Sequence, residues 1–154
     1  MKTLVVGDLH LKQQFVLPRI DGMLAGDAEI GRVVFLGDAC DDWGANEADE
    51  LNAMEFYAKW VREHRGRGMR IDVLLGNHDF CYVRGKRGPG SIMSIMRNLR
   101  TILEDALQAK VACAVGPYLC SHAGVTGVWA KRFLADVPAD AVAIAQRLNE
   151  MLAD

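Results

Sequence analysis

Short apolar runs alternate with longer amphipathic segments along this chain, a pattern typical of α/β proteins. Five apolar runs are predicted to be strands, at residues 3–6, 32–36, 71–75, 110–115 and 118–120. Helical periodicity predicts five helices, at residues 13–26, 47–64, 92–107, 126–133 and 138–152. Because Pro18 suits only a first helical turn, we expect the first helix to begin near Leu17. The segment 80–91 has neither period and is predicted to be a loop, and 116–117 to join a hairpin.

Four of the predicted strands run into polar blocks that contain metal-binding residue types. The blocks are Gly-Asp-Leu-His (7–10), Gly-Asp-Ala-Cys-Asp (37–41), Gly-Asn-His-Asp (76–79) and Ser-His-Ala-Gly (121–124). Ligands bind at the carboxyl edge of open α/β sheets, where these blocks would meet. Carboxylate, imidazole and amide oxygen suit Mn²⁺, Fe²⁺ or Zn²⁺, and the set is rich enough for two ions that share a bridging carboxylate. Two such ions can clamp a phosphate ester, which leaves His78 free to act as a general acid with Asp41 as its partner.

Composition narrows the class of protein without identifying a function. The 154 residues are 51% apolar and 25% charged, which is ordinary for one globular domain. A formal net charge of −2 gives no support for a nucleic-acid surface or an anionic-membrane surface. No apolar run approaches the roughly 20 residues of a membrane span, and Asp8 interrupts the N-terminal run before a signal-peptide core could form. The four cysteines lack Cys-x-x-Cys spacing, so we expect reduced thiols in a cytoplasmic protein.

The four blocks, in this order, resemble those of the calcineurin-like metallophosphoesterases, and Ser-His-Ala-Gly points to the phosphoprotein-phosphatase-like branch. The resemblance implies an α/β sandwich, with a mostly parallel sheet flanked by helices, and two divalent metal ions (Mn²⁺, Fe²⁺/Fe³⁺ or Zn²⁺). It implies that Asp38 bridges the two ions and that His78 is the general acid, paired with Asp41. It further implies that Asp8 and His10 bind the first ion, together with the bridging Asp38. Asn77 and His122 are the implied ligands of the second ion.

The chain also departs from the family pattern. The position of a phosphate-gripping arginine holds Asp42, so Arg84 of the basic segment after the third block is the substitute candidate for substrate binding. The only histidines are His10, His64, His78 and His122, whereas the family adds one from a later Gly-His block to the second metal. We therefore expect a domain spanning 1–154 that is truncated at its C-terminus, with an incomplete second sheet and a weaker second metal site. An uncovered apolar sheet surface would favour self-association.

Three functions are compatible with the sequence. The first is a hydrolase of phosphate esters, with phosphoprotein, dinucleoside polyphosphate or a small phosphomonoester as the substrate. The second is a catalytically silent, metal-binding phosphatase-like protein or inactive fragment, which the missing histidine makes credible. The third is a flavodoxin-like module, which would hold phosphate with backbone amides at a helix N-terminus. His64, at the end of the second predicted helix, is expected to be a solvated surface residue.

Overall fold

The computed structural model describes residues 1–153, so Asp154, the last residue of the predicted domain, lies outside it. Three parallel strands form the main sheet in the order β1 (Lys2–Val6), β2 (Ile30–Phe35) and β3 (Arg70–Val73). Parallel neighbours require long crossover connections. Helix α1 (Gln13–Gly26) provides the first crossover, and helix α2 (Glu47–Gly66) provides the second. All three strands therefore point their carboxyl ends toward the same edge.

The core lies against the central strand. Residues Val33, Val34 and Phe35 of β2 are at most 2% exposed. The ring of Phe35 meets Tyr57 and Trp60 of α2 edge-on, with centroids 5.0 and 5.9 Å apart. This helix begins with a capping box at Asn46, which satisfies backbone N–H groups that have no partner inside the helix. The predicted second helix is confirmed, with its apolar stripe buried on the sheet.

The first helix begins earlier than Pro18 suggests, so the predicted start near Leu17 is wrong. It begins at Gln13, whose buried side-chain amide donates to the carbonyl of Ala39 at 2.9 Å. This contact fixes the first turn against the segment that follows β2. The helix consequently retains Pro18 in its interior, at the cost of one backbone hydrogen bond.

The segment predicted to be a loop begins as a helix. Helix α3 spans Asn77–Val83, directly after the turn at Gly76, so the loop prediction is wrong for its first residues. Seven residues make only two turns, too few to show a period in the sequence. After the loop, a nearly continuous helical segment consists of a 3₁₀ turn at Met93–Ile95, helix α4 (Met96–Thr101) and a π-helical turn at Ile102–Ala106.

A small antiparallel sheet completes the described fold. Strands β4 (Ala112–Val115) and β5 (Tyr118–Ser121) form the predicted hairpin. Two helices follow, α5 (Gly127–Phe133) and α6 (Ala141–Ala153). The side chain of Asn149 on α6 accepts hydrogen bonds from the N–H groups of Val111 and Ala112 and donates one to the carbonyl of Ala112. This α/β architecture, a parallel sheet flanked by helices with a small second sheet, confirms the predicted fold class.

Arg32 forms a buried ion pair within the main sheet and a hydrogen bond to the second sheet. The guanidinium of Arg32 lies 2.5 Å from the carboxylate of Asp72 on the neighbouring strand and donates to the carbonyl of Ala114 in the hairpin at 2.6 Å. Burial raises the pKa of Asp72, but hydrogen bonds from Lys110 and Arg32 outweigh it and hold the pKa below the ordinary value. Among residues 1–153, no helix combines the length and apolar character that a membrane span requires.

Candidate metal centre

Two glycines allow the turns after β2 and β3 to touch. Gly37 has a φ of +111°, and a Cβ atom there would lie 2.3 Å from the backbone N of Gly76. A Cβ atom on Gly76 would in turn lie 2.1 Å from Oδ1 of Asp38. Side chains do not fit at either position, so glycine is required for this approach. The contact brings the polar residues of both turns to one edge of the sheet.

Backbone hydrogen bonds join the turn after β1 to the turn after β2. The N–H groups of Leu9 and His10 both donate to the carbonyl of Asp38, at 3.0 and 2.9 Å. His10 (φ +39°) and Asp38 (φ +52°) occupy the left-handed region, which is unfavourable for residues with a side chain. Such strain is commonly retained at functional sites, where the surrounding structure holds it. Here the strained backbone turns both side chains toward one point.

The five residues predicted as metal ligands come together. One ligand atom from each of Asp8, His10 and Asp38 lies within 4.8 Å of the other two. Oδ2 of Asp38 lies 3.8 Å from Nε2 of His10 and 3.4 Å from Nε2 of His122. Nε2 of His122 is 3.2 Å from Oδ1 of Asn77. Oδ2 of Asp38 thus faces the imidazoles of His10 and His122, which are far apart in the sequence.

Backbone carbonyls orient both imidazoles. Nδ1 of His10 lies 2.8 Å from the carbonyl of Asp41, and Nδ1 of His122 lies 3.2 Å from the carbonyl of Leu36. A carbonyl only accepts, so a neutral imidazole that donates through Nδ1 in this way would offer the lone pair of Nε2 to a metal ion. This arrangement is typical of metal-ligating histidines. Carboxylate, imidazole and amide oxygen are a donor set that fits a borderline divalent ion.

Opposing effects act on the pKa of His10. Burial lowers the pKa of its imidazole, but the carbonyls of Asp41 and Cys40 and the carboxylates of Asp38 and Asp8 outweigh it, and the pKa is raised. The two carboxylates thus favour positive charge at His10.

Beside the five residues lies a hydrogen-bonded pair. Nδ1 of His78 is 2.9 Å from Oδ2 of Asp41, and the backbone N–H of His78 donates to Oδ1 of Asp38 at 2.9 Å. His78 is the second residue of α3, so the helix start places its ring next to the metal-ligand cluster. Its ring and that of His10 meet edge-on with centroids 5.1 Å apart. The structure thus brings together His78 and Asp41 as the sequence predicted.

Three buried polar side chains support this arrangement, and of these only Asp79 belongs to one of the four polar blocks, so sequence reasoning missed the other two. Asp79 accepts hydrogen bonds from the N–H groups of Gly76, Ala39 and Cys40, so it ties the two glycine turns together. Glu50 accepts from the N–H of Asp41 at 3.1 Å. Tyr82 donates to the side chain of Asp41. The available signal was the spacing of Asp79 three residues after Gly76, which is a capping-box position.

The basic residues Lys12 and Arg84 lie in different surroundings. Lys12 forms an ion pair with Asp42, the residue at the expected arginine position. Arg84 is exposed and lines a cavity with Trp129 and Leu148, whereas the cavity beside His78 is lined by Pro89 and Gly90 of the same loop. The structure therefore does not bring Arg84 together with the other candidates, and its role in substrate binding stays a prediction.

His64 is not the solvated residue that the sequence predicted. Its ring stacks on Trp60 with centroids 3.9 Å apart, and its side chain is only 13% exposed. Nε2 lies 3.0 Å from a carboxylate oxygen of Asp21 on α1. The partner helix supplies the burial, which periodicity within one helix does not reveal.

Comparisons with known proteins agree with this geometry. The family model for calcineurin-like phosphoesterases matches residues 1–153. No curated protein matches the chain. Among solved structures, a cold-active protein-tyrosine phosphatase of the psychrophile Shewanella sp. is similar, with a TM-score of 0.57 and 17% identity over 98% of this chain and 53% of that one. A mutant cold-active protein tyrosine phosphatase gives a TM-score of 0.58 with the same identity and coverage.

The chain belongs to the calcineurin-like phosphoesterase family. At 17% identity, the solved structures support the fold alone. The chain spans about half the length of those structures.

Proposed function

We propose that this chain is a metal-dependent hydrolase of phosphate monoesters with a dinuclear centre. The observation that carries the proposal is the position of Asp38, whose Oδ2 lies between Nε2 of His10 and Nε2 of His122. A carboxylate flanked by two imidazole nitrogens is suited to bridge two cations. Without cations, the carboxylates crowded at this edge would repel one another.

The residues divide into two ligand sets that share one member. Asp8, His10 and Asp38 would hold one ion, and Asp38, Asn77 and His122 would hold the other. Mn²⁺, Fe²⁺/Fe³⁺ and Zn²⁺ all suit these donors. When bound, two such ions act as Lewis acids on the phosphoryl oxygens and lower the pKa of a bound water.

The pair formed by His78 and Asp41 would handle the leaving group. Because Nδ1 of His78 is bonded to Asp41, Nε2 is the ring nitrogen left to donate a proton to the leaving oxygen. The carboxylate of Asp41 would keep the ring oriented toward the leaving group. The N–H of His78 bonds to Asp38, which couples the acid to the metal ligands.

Turnover of p-nitrophenyl phosphate with Mn²⁺ tests the proposal. We expect metal-dependent activity that falls at least about a hundredfold in Asp38→Asn and in His78→Asn. His64→Asn is the matched control, because His64 lies on α2 against Asp21 and outside the cluster. The absence of metal-dependent turnover in the parent, together with intact metal binding by calorimetry, would instead support the catalytically silent alternative.

A further inference from the structure

Trp43 stands at the rim of the cavity that contains the proposed acid. The cavity has a volume of about 360 Å³, and its lining includes His10, His78 and Trp43. Trp43 is a large apolar residue that is 93% exposed. An indole left in water beside a reactive histidine is available to a ligand at little cost in reorganisation.

The backbone beneath Trp43 is fixed although its ring is free. The N–H of Ala45 donates to the carbonyl of Asp42 at 3.2 Å, and the N–H of Trp43 donates to the carboxylate of Asp42 at 3.0 Å. Gly44 has a φ of +80°, which completes a tight turn. The turn therefore holds the backbone of Trp43 next to the cavity, within which its indole can meet a ligand.

The geometry of the proposed acid decides which part of a substrate would meet the indole. Nδ1 of His78 is occupied by Asp41, so Nε2 is left to protonate the leaving oxygen. The leaving group must then lie on the His78 side of the phosphoryl group. That side is the cavity whose rim carries Trp43. The leaving group, rather than the phosphoryl group, would contact the indole.

The charges around the cavity exclude one class of leaving group. Its described lining contains Asp41 and Asp42 but no lysine or arginine. Lys12, which lies close by, already forms an ion pair with Asp42. A leaving group that carries further phosphates would find repulsion there instead of neutralisation. A neutral planar ring would meet no such penalty and could stack on the indole.

We propose that Trp43 binds the leaving group of the substrate by stacking, and that the chain prefers aryl phosphomonoesters to alkyl phosphomonoesters and to polyphosphates. This inference rests on the proposed function, because it takes His78 as the acid. Trp43 acts as a specificity residue at the leaving-group side of the proposed metal centre.

Binding of two non-hydrolysable phosphonates tests the inference apart from turnover. With the Mn²⁺-loaded protein, calorimetry should show tighter binding of phenylphosphonate than of methylphosphonate. We expect Trp43→Ala to raise the Kd of phenylphosphonate about tenfold and to leave that of methylphosphonate within about twofold, the range of aromatic stacking. Trp43→Phe should retain most of the preference. Phe15→Ala is the control, since Phe15 is a 68% exposed aromatic residue on α1 outside this cavity.

The kinetic arm compares phenyl phosphate with glycerol 2-phosphate. Trp43→Ala should lower kcat/KM about tenfold for the phenyl ester alone. Equal effects on both phosphonates, no effect on either, or no phosphonate binding by the parent would overturn the inference. If the parent binds phenylphosphonate through Trp43 but hydrolyses neither ester, the proposed function fails while the aryl-binding role of Trp43 stands.

Discussion

The hydroxyl of Tyr82 lies 2.5 Å from Oδ1 of Asp41, and both side chains are buried. The same hydroxyl accepts a hydrogen bond from the N–H of Ile92 at 2.9 Å. Because Tyr82 occupies Oδ1, the other oxygen of Asp41 is oriented toward His78. Tyr82 therefore links the proposed acid pair to the end of the loop that follows α3.

Replacement of Tyr82 by Phe should weaken both the fold and the site. The change leaves Oδ1 of Asp41 and the N–H of Ile92 without their present partner, which we expect to lower the free energy of unfolding by about 1–3 kcal/mol. Because Asp41 would lose its orientation, kcat should fall about tenfold. Urea denaturation and steady-state kinetics measure the two effects.

Tyr57 provides the matched control for this change. Its side chain is also fully buried, but its hydroxyl has no hydrogen-bond partner within the described part of the chain. Tyr57→Phe should therefore leave stability and kcat nearly unchanged. Equal losses in the two variants would show that the Tyr82 hydroxyl has no special role.

His78 and Asp41 should behave as one unit. We expect His78→Asn and Asp41→Asn each to lower kcat about a hundredfold or more, since general acid catalysis contributes on that scale. The double variant should be little worse than either single variant, because the second change removes a partner that no longer acts. Measured losses that simply multiply would indicate two independent roles.

Glu50 should make the stability of the metal-free protein depend on pH. Burial, assisted by the nearby carboxylates of Asp41 and Asp79 and opposed by the N–H of Asp41, raises the pKa of Glu50 to about 7. Since this carboxyl has its higher pKa in the folded state, the folded state favours its protonated form. The stabilisation is fully present below the unfolded pKa of 4.5 and is lost as pH rises through about 7.

The corresponding loss in unfolding free energy between pH 4.5 and pH 8 is about 3 kcal/mol. The side chain in the Glu50→Gln variant cannot ionise, so this variant should lack that pH-dependent loss of unfolding free energy. Urea denaturation in EDTA at several pH values would measure the difference. A parent and a variant with the same pH dependence would contradict the assignment to Glu50.

Gly76→Ala should disrupt the contact between the two strand-end turns. The added Cβ would overlap Oδ1 and the backbone N of Asp38, so we expect a loss of about 2 kcal/mol or more in stability, together with weaker metal binding. Gly22→Ala is the control, because that glycine is exposed inside α1 and its Cβ would meet no atom within 4 Å. There we expect a gain of about 0.5–1 kcal/mol. Loss of stability in both variants would argue against a specific clash.

The fold class and the candidate site residues could be predicted from the sequence because each has a local signal. In the strand predicted at 32–36, residues 33–36 are a continuous apolar run followed by Gly37 and Asp38, and the observed strand β2 ends at Phe35, two residues before Gly37. Since parallel strands bring their carboxyl ends to one edge, Asp38 could be expected near the other polar blocks. The left-handed backbone that aims its side chain could not be predicted from that local pattern.

Glu50 and Tyr82, two of the three supporting residues, lacked such a signal. Glu50 lies among acidic residues at the start of α2, a pattern typical of a solvated first turn, yet it is fully buried because Asp41 approaches from the preceding loop. The partner of Tyr82 lies 41 residues away in the chain. Contacts of this kind arise only when the elements pack, so one sequence does not disclose them.

Calorimetric titration of the metal-free protein with Mn²⁺ tests the shared role of Asp38 most directly. We expect two ions per chain with unequal affinities, the weaker one at the Asn77 and His122 site. Asp38→Asn should weaken both sites by at least about tenfold, whereas Asp27→Asn, a carboxylate paired with Lys2 at the surface, should change neither. Binding of a single ion by the parent, or loss of only one site in Asp38→Asn, would contradict a centre in which this carboxylate joins two metals.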